Sequence, residues 1–328
     1  MNSLRRKLVK LKSVELIPAV LTKAWAILST KKHGKKIILV SLVQHIGDNV
    51  AAEPLTAFLR AEHPTAYIIR VVSPLCKKVI ANNPHQDEFI TLRSISEWIY
   101  LKAILKQFIK VYDLHVHRTF CPEYRLFLSN PNKENLNISN YLNTYNLLQV
   151  FCINAAIPPM DVKPTFHFSS EQRSSPLPAK YIAIQTTSNG FERTWHLGHW
   201  KTLINFIWER LGMKVVEVGS GTQLNLSPEM YINACELSFN ETAQIISHAE
   251  IFIGIDSAFA HFANCFHIKK LILLGHYAGF VHYNPLSGMP QELQKKELIW
   301  HDGLVANLPA ETVKERLLSL LNGKAASS

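Results

Sequence analysis

Short apolar runs alternate with segments of helical spacing along most of the chain, and this alternation restricts the possible folds. Apolar runs of strand length lie at 36–43, 66–73, 88–92, 112–117, 181–186, 214–218, 251–256 and 270–274. Helical spacing lies between them, at 53–61, 95–109, 199–211, 240–249 and 257–266. Strands that are apolar throughout are typical of parallel sheets covered by helices on both faces. The pattern predicts an α/β fold of two Rossmann-like, doubly wound domains that face a central cleft.

Chain length and one polar segment indicate the domain boundaries. A chain of 328 residues suggests two domains at roughly 150 residues per domain. The polar, proline-bearing stretch at 169–180 is typical of a linker. We therefore predict an N-terminal domain at 37–168 and a C-terminal domain at 181–328, preceded by a basic segment at 1–36. Whether the last helix packs back on the N-terminal domain stays open.

The positive charge is concentrated in residues 1–36. This segment has ten basic residues and one acidic residue, Glu15, so ten minus one gives +9 of the chain's net charge of +10. Apolar residues stand between the basic ones so that a helix would have an apolar side and a basic side. Such a helix would suit an anionic membrane surface, or would pack on its own protein with solvated lysines. Aromatic and basic residues are not interleaved elsewhere, so we expect no nucleic acid partner.

Several classes of protein are disfavoured. No apolar run approaches the roughly 20 residues of a membrane-spanning helix, and the N-terminus lacks the apolar core and cleavage site of a signal peptide. The five cysteines are scattered and contain no Cys-x-x-Cys pair, which argues against a disulfide framework and against a zinc site. We therefore expect a cytoplasmic protein without a bound metal.

A glycine and a carboxylate, Gly47 and Asp48, follow the first predicted strand. In open parallel sheets the ligand binds beyond the carboxyl ends of the strands, which is where this pair would lie. Gly47 permits a tight turn, and Asp48 falls near the start of the next helix. Two interpretations remain open at this point: Asp48 is a helix N-cap, or its carboxylate has a role in a cleft.

Three features of the second half suit an anionic ligand. A hydroxyl-rich loop at 186–190 follows a strand and precedes Arg193, and a Gly-Ser-Gly-Thr loop follows the next strand at 219–222. The third is 254–261, where a strand ends and a helix of small residues begins. Each is an ordinary turn or cap when taken alone, and His261 could be a satisfied helix residue. Together they predict a nucleotide or sugar-phosphate site.

Basic residues near the end of the first half are candidate ligand contacts. His115 and His117 stand two apart on a predicted strand, but no carboxylate or cysteine companion suggests a metal site. We interpret them as residues that line the cleft or contact an acceptor. Arg118 and Arg125 either meet acidic groups of an acceptor or are solvated.

Three motifs give the sequence a family resemblance. The first runs from Gly47-Asp48 through Pro54 to Leu59-Arg60, and the second is Trp195-His-Leu-Gly-His-Trp200. The third and most specific is the segment 237–261, which ends in Gly-Ile-Asp-Ser-Ala-Phe-Ala-His. With these motifs the chain resembles glycosyltransferase family 9, the ADP-heptose:lipopolysaccharide heptosyltransferases, which have the GT-B fold. The two tryptophans are more often packing residues than sugar platforms.

The resemblance implies an inverting, metal-independent glycosyltransferase that moves a sugar, heptose from ADP-heptose, to lipopolysaccharide or another cell-surface glycan precursor. It implies that Asp48 is the general base and that the backbone amides of 257–259 donate hydrogen bonds to the leaving nucleoside diphosphate. The implied donor-binding residues are Thr186, Thr187, Ser188, Arg193, Gly219, Glu236, Asp256, Ser257, Ala258 and His261. We predict that His45, His117, Arg118 and Arg125 bind the acceptor. Such an enzyme would act at the inner face of the bacterial inner membrane.

Departures from the family pattern leave two alternatives open. Arg193 stands where the family has lysine, and Ala258 stands where it has glycine. His196 replaces a proline, and the loop 275–280 replaces a loop rich in glycine, proline and threonine. The alternatives are a degenerate protein that binds a nucleotide sugar without transferring it, and a nucleotide-sugar epimerase of related fold.

Overall fold

The computed structural model describes residues 15–29, 34–171 and 176–322. The chain divides into two compact units, of which the first ends at Asp161 and the second begins at Val162. This boundary precedes the predicted one at 168. Phe166 already packs against Phe262 of the second unit, with ring centroids 5.2 Å apart. The chain therefore enters the second unit before the predicted linker at 169–180 begins.

The first unit contains a four-stranded parallel sheet flanked by helices. Its helices are α1 (Ile17–Ser29), α2 (Ile46–Ala51), α3 (Glu53–Glu62), α4 (Pro74–Ile80), α5 (Ile95–Leu105) and α6 (Leu147–Asn154). Its strands are β1 (Ile37–Ser41), β2 (Tyr67–Val72), β3 (Glu88–Thr91) and β4 (Lys110–Asp113), and a short hairpin follows as β5 (Phe120–Cys121) and β6 (Leu126–Phe127). The sheet order is β3-β2-β1-β4. The chain therefore changes direction across the sheet between β1 and β4, which opens a crevice at their carboxyl ends.

The strand predicted at 112–117 is shorter and earlier in the structure. β4 ends at Asp113 because its partner β1 ends at Ser41, the residue opposite. His115 and His117 therefore lie in the loop after β4 and do not share one face of a strand.

Helix α1 differs from the predicted basic amphipathic helix. Lys23 is its single charged residue, and Val20, Ala24 and Ile27 are buried in the core of the first unit. The prediction of a basic side is therefore wrong for this helix, because its basic neighbours lie before and after it in sequence. Residues 1–14 and 30–33, which hold most of them, lie outside the described residues.

The second unit contains a six-stranded parallel sheet. Its strands are β7 (Tyr181–Gln185), β8 (Lys214–Glu217), β9 (Tyr231–Asn233), β10 (Ile251–Ile255), β11 (Lys269–Leu274) and β12 (Leu298–Trp300). Its helices are α7 (Leu197–Phe206, continued by a π-helical turn, Ile207–Leu211), α8 (Phe239–Ser247), α9 (Ala258–Asn264), α10 (Gln291–Glu297) and α11 (Ala310–Asn322), with short 3-10 turns at Phe191–Arg193 and Val305–Asn307. The sheet order is β12-β11-β10-β7-β8-β9. The change of direction falls between β7 and β10.

The core of the second unit explains two features of the sequence. Trp195 and Trp200 are buried against each other, with ring centroids 4.8 Å apart, so both are packing residues. The last helix, α11, places Val313 and Leu317 in the same core. Among the described residues, no helix combines the length and the apolar character that crossing a bilayer requires. The predicted α/β class with two doubly wound parallel sheets is confirmed.

Candidate active site

The crevice of the second unit lies between the loops that follow β7 and β10, and a hydrogen bond joins them. Ser257 donates its hydroxyl to Gln185 Oε1 at 2.7 Å. The Ser257 oxygen also accepts the Phe259 amide at 3.2 Å and caps α9, so that the helix-cap interpretation of Ser257 is correct. The amide of Phe259, which the resemblance assigns to the leaving group, is therefore already bonded within the chain. Gln185, which the sequence analysis did not select, ties the two loops together.

Arg193 is the cation of this crevice. Its Nη1 lies 3.7 Å from Asp256 Oδ2, and its guanidinium lies over the ring of Tyr277, 4.4 Å from the centroid. Tyr283 donates its hydroxyl to the same Asp256 oxygen at 2.6 Å. Burial raises the pKa of Tyr283, and the Asp256 carboxylate adds to the shift, so the phenol stays protonated and keeps donating. The guanidinium is thereby held at the crevice by an aromatic ring and a carboxylate.

His261 lies on α9, behind this group. It is 4% exposed, and burial lowers its pKa to about 4, opposed by Asp256 and assisted by the Arg193 charge. His261 is consequently neutral at pH 7 and contributes no charge to an anion site.

The side chain of Thr186 points away from the crevice. Its hydroxyl donates to Glu217, which is fully buried at the end of β8 and also accepts the Tyr231 hydroxyl. Burial raises the pKa of Tyr231, and its bond to Glu217 raises it further. This arrangement makes Thr186 a structural partner of a buried carboxylate.

Two glycines shape the loop after β8. Gly219 and Gly221 have φ angles of 141° and 156°, which side chains rarely adopt. Thr187 donates its hydroxyl to the Gly221 carbonyl at 3.5 Å, and the Glu236 amide donates to the Gly219 carbonyl at 2.8 Å. Glu236 itself has a φ of 64° and an exposed side chain. The loops after β7, β8 and β9 therefore meet at one sheet edge through the Thr187 hydroxyl and through backbone groups.

The remaining predicted donor residues lie at the same edge. Ser188 accepts the Gly190 amide at 3.1 Å and so closes the turn before Arg193. Ala258 is the first residue of α9 and is half-buried. The structure thus places all ten predicted donor residues on the second unit, and brings Arg193, Asp256, Ser257 and His261 together at its crevice.

In the first unit Asp48 lies inside the first turn of α2. The N-cap of this helix is His45, whose side chain makes no capping bond, so the N-cap interpretation of Asp48 is wrong. His45 has φ 63° and ψ 120°, a combination that costs a non-glycine residue roughly 1–3 kcal/mol. Such strain persists only where the surroundings fix the backbone, and it is common at active sites.

Asn49 fixes this strained turn. Its Nδ2 donates to the carbonyls of Leu42, Gln44 and His45 at 3.0, 3.2 and 3.0 Å. Its Oδ1 accepts a hydrogen bond from Arg70 Nη2 at 2.9 Å. Arg70 is buried, which lowers its pKa to about 10, so the guanidinium remains charged at pH 7. A buried cation on β2 therefore holds the amide that shapes the loop carrying Asp48.

A second network holds the loop from the other side of the crevice. His115 Nε2 accepts the Val43 amide at 2.9 Å, and His115 Nδ1 lies 2.7 Å from Asp113 Oδ1. Asp113 also binds Lys102 Nζ at 2.6 Å. Burial alone would raise the pKa of Asp113, but His115 and Lys102 outweigh it and the net shift is downward. His115 is 3% exposed, so the interpretation that it lines a cleft is wrong.

The predicted acceptor residues are more open. His117 is half-buried and accepts the Asn130 amide on Nδ1 at 3.1 Å. Arg118 and Arg125 are exposed, with φ angles of 65° and 51°; Arg118 precedes β5, and Arg125 lies in the turn between β5 and β6. His45 is exposed at the strained turn. The side chains of His45, Arg118 and Arg125 are accessible to a ligand.

Sequence reasoning missed the residues that support these sites. Arg70 could have been recognised from the sequence, because a charged residue inside the apolar run 66–73 needs a buried partner. No sequence pattern identifies Tyr277 or Tyr283, since both lie in an irregular loop. Gln185 was visible only as a polar residue near the end of an apolar strand.

Comparisons with known proteins show what the chain resembles. The family model of glycosyltransferase family 9 (heptosyltransferase) matches residues 156–277. This range contains every predicted donor residue, whereas Asp48 lies outside it. No curated protein sequence matches the chain.

Solved structures resemble the chain over most of its length. The glycosyl transferase family 9 protein of Veillonella parvula has a TM-score of 0.61 at 16% identity, over 87% of this chain and 97% of that one. The ADP-heptose lipopolysaccharide heptosyltransferase II of E. coli has a TM-score of 0.63 at 19% identity, over 89% and 100%. E. coli heptosyltransferase WaaC with ADP has a TM-score of 0.56 at 11% identity, over 89% and 99%.

The fold is therefore GT-B, as the sequence predicts. The match to family 9 confirms the predicted family resemblance, and the protein is a glycosyltransferase.

Proposed function

We propose that the protein transfers heptose from ADP-heptose to lipopolysaccharide or another cell-surface glycan precursor. The observation that carries the proposal is the cluster of Arg193, Asp256 and Tyr277 at the crevice of the second unit, within the range that matches the heptosyltransferase family. A fixed guanidinium can offset the charge that develops on a departing nucleoside diphosphate, without the need for a metal. Structural similarity to an E. coli heptosyltransferase with ADP supports an adenine nucleotide as the donor.

The proposed reaction is a single displacement. Asp48 takes the proton of the acceptor hydroxyl while that oxygen attacks the anomeric carbon of the donor sugar. The bond from the anomeric carbon to the diphosphate breaks, and ADP leaves with the electron pair. Attack opposite the leaving group inverts the anomeric configuration. His45, His117, Arg118 and Arg125 are proposed to bind the acceptor, and the strained turn at His45 would orient the base.

Asp48→Asn tests the assignment of the base. A positioned general base contributes about a hundred- to ten-thousand-fold in rate, so turnover should fall within that range while ADP affinity stays unchanged. Arg193→Met is the matched variant, because it should weaken ADP binding, as measured by calorimetry. An Asp48→Asn enzyme with wild-type turnover would refute the role of Asp48.

The identity of the nucleotide in the donor is tested by the shift of the protein's melting temperature with ADP, UDP, GDP and CDP, since a ligand that binds only the folded state stabilises it. Selective stabilisation by ADP is expected. Ala258 and the loop 275–280 favour a second candidate, a nucleotide-sugar-binding protein without turnover; it predicts ADP binding with no release of ADP from ADP-heptose in the presence of acceptor. Isomerisation of the nucleotide sugar without acceptor would instead indicate an epimerase.

We further propose that the enzyme works in the cytoplasm, at the inner face of the bacterial inner membrane. A glycolipid acceptor would be anchored there, and the basic segment 1–36 has the charge to contact anionic lipids.

A further inference from the structure

Helix α1 is apolar on the side that faces away from its own core as well as on the side that faces it. Ile17, Leu21 and Trp25 stand one helical turn apart and are 39%, 52% and 75% exposed. The other exposed positions of the helix, Pro18, Ala19, Thr22 and Ala26, carry no charge. Its one charged residue, Lys23, is bound to Glu97 at 2.5 Å.

An outer face of this kind is unusual for a surface helix. Helices on protein surfaces normally present charged residues to water, and contiguous exposed apolar residues mark an interaction site. Trp25 favours a membrane surface as the partner, because tryptophan is enriched at membrane–water interfaces.

A basic groove is formed by residues 34–37 and 106–110 of the first unit. It is lined by Lys35 and Lys36 before β1 and by Lys106 and Lys110 before and at the start of β4, with no acidic side chain in the lining. Phe108 lies among these lysines and is 56% exposed. None of the four lysines forms an ion pair with a carboxylate of the residues that the structure describes.

The groove is distinct from the candidate active site of the first unit. It lies at the amino ends of β1 and β4, whereas Asp48 and His115 follow their carboxyl ends. Acceptor binding at the crevice therefore does not account for these lysines.

We infer that the outer face of α1 and the lysine groove together dock the first unit on an anionic lipid bilayer. Leu21, Trp25 and Phe108 would enter the interfacial layer, and the lysines would contact anionic headgroups. A second copy of the chain suits the surface less well, because a symmetric pair would bring the same lysines together. The inference rests on the proposed membrane contact of segment 1–36, but it assigns this contact to the outer face of α1 and the lysine groove.

The test is co-sedimentation of the full chain with vesicles of phosphatidylcholine, or of equal parts phosphatidylcholine and phosphatidylglycerol. The wild-type chain should bind only the anionic vesicles, and less at high salt. The double variant Leu21→Ser/Trp25→Ser should lose about tenfold or more in affinity. Leu75→Ser is the matched control, because Leu75 on α4 is 51% exposed.

The contribution of the lysines is tested with the double variant Lys106→Glu/Lys110→Glu, whose affinity for the anionic vesicles should also fall about tenfold or more. Lys78→Glu/Lys201→Glu, at two exposed lysines elsewhere, makes the same change in net charge and should bind normally. Thermal unfolding verifies that each variant folds.

Three results would overturn the inference: equal binding to both kinds of vesicle, wild-type binding by both test variants, or a dimer that Leu21→Ser/Trp25→Ser converts to monomer. Loss of binding on deletion of residues 1–14, with both test variants still bound, would assign the contact to that segment instead. Transfer to a lipid-free acceptor fragment should be the same in all these variants, so failure of docking and failure of the proposed activity remain distinguishable.

Discussion

Replacement of Asn49 by alanine tests whether the turn that carries Asp48 is held by the buried amide. The two Nδ2 hydrogens serve three loop carbonyls, and Oδ1 is bonded to the charged Arg70. Loss of about two neutral hydrogen bonds at roughly 1 kcal/mol each, and of one bond to a buried cation at roughly 1.5–3 kcal/mol, gives a destabilisation of about 4 kcal/mol.

Calorimetry measures this change as a lower melting temperature. For a unit of this size each kcal/mol corresponds to about 2–4 °C, so the transition of the first unit should fall by roughly 8–16 °C. Turnover should fall at least about tenfold as the strained turn at His45 relaxes. ADP affinity should not change, since the donor residues lie on the second unit.

Asn154→Ala is the matched control. Asn154 is also buried, but its partners, the Leu114 carbonyl and the Asn132 amide, are both neutral. Replacement of Asn154 should lower the free energy of unfolding by about 2 kcal/mol and leave turnover unchanged. If Asn49→Ala costs no more than Asn154→Ala, or weakens ADP binding as much as turnover, the role assigned to Asn49 is refuted.

Two further predictions concern the second unit. Tyr277→Leu removes the ring under Arg193 and should weaken ADP binding about tenfold by calorimetry, whereas Tyr277→Phe keeps the ring and should bind normally; equal affinities would exclude the cation–π contact. The pKa of His261 is lowered to about 4 by burial, so the unfolded chain takes up this proton near pH 6.5 while the folded chain stays neutral. Stability contributed by neutral His261 is therefore present above pH 6.5 and should fall by about 3 kcal/mol toward pH 4. Urea unfolding of His261→Gln should show a smaller loss over this range, and an identical loss would contradict the assignment.

Much of the fold was accessible from the sequence because it is encoded locally. Apolar runs of strand length predicted the four strands of the first sheet and four of the six strands of the second, but not β9 or β12. Polar loops directly after strands predicted the sheet edge at which Arg193 and Asp256 meet. The errors arose where distant segments decide the outcome. β4 ends where β1 ends, so that His115 leaves the sheet and turns inward to bind the Val43 amide.

The sequence by itself determined two parallel sheets, the edge of each sheet at which the candidate site lies, and the excess of positive charge near the N-terminus. Periodicity and composition are local properties, and the direction of parallel strands follows from the order of the elements. Only the tertiary structure decided that Arg70 meets Asn49, that Tyr277 lies under Arg193, and that α1 leaves Trp25 uncovered. Those contacts depend on the paths of loops and on the packing of side chains far apart in the chain, and no local pattern records them.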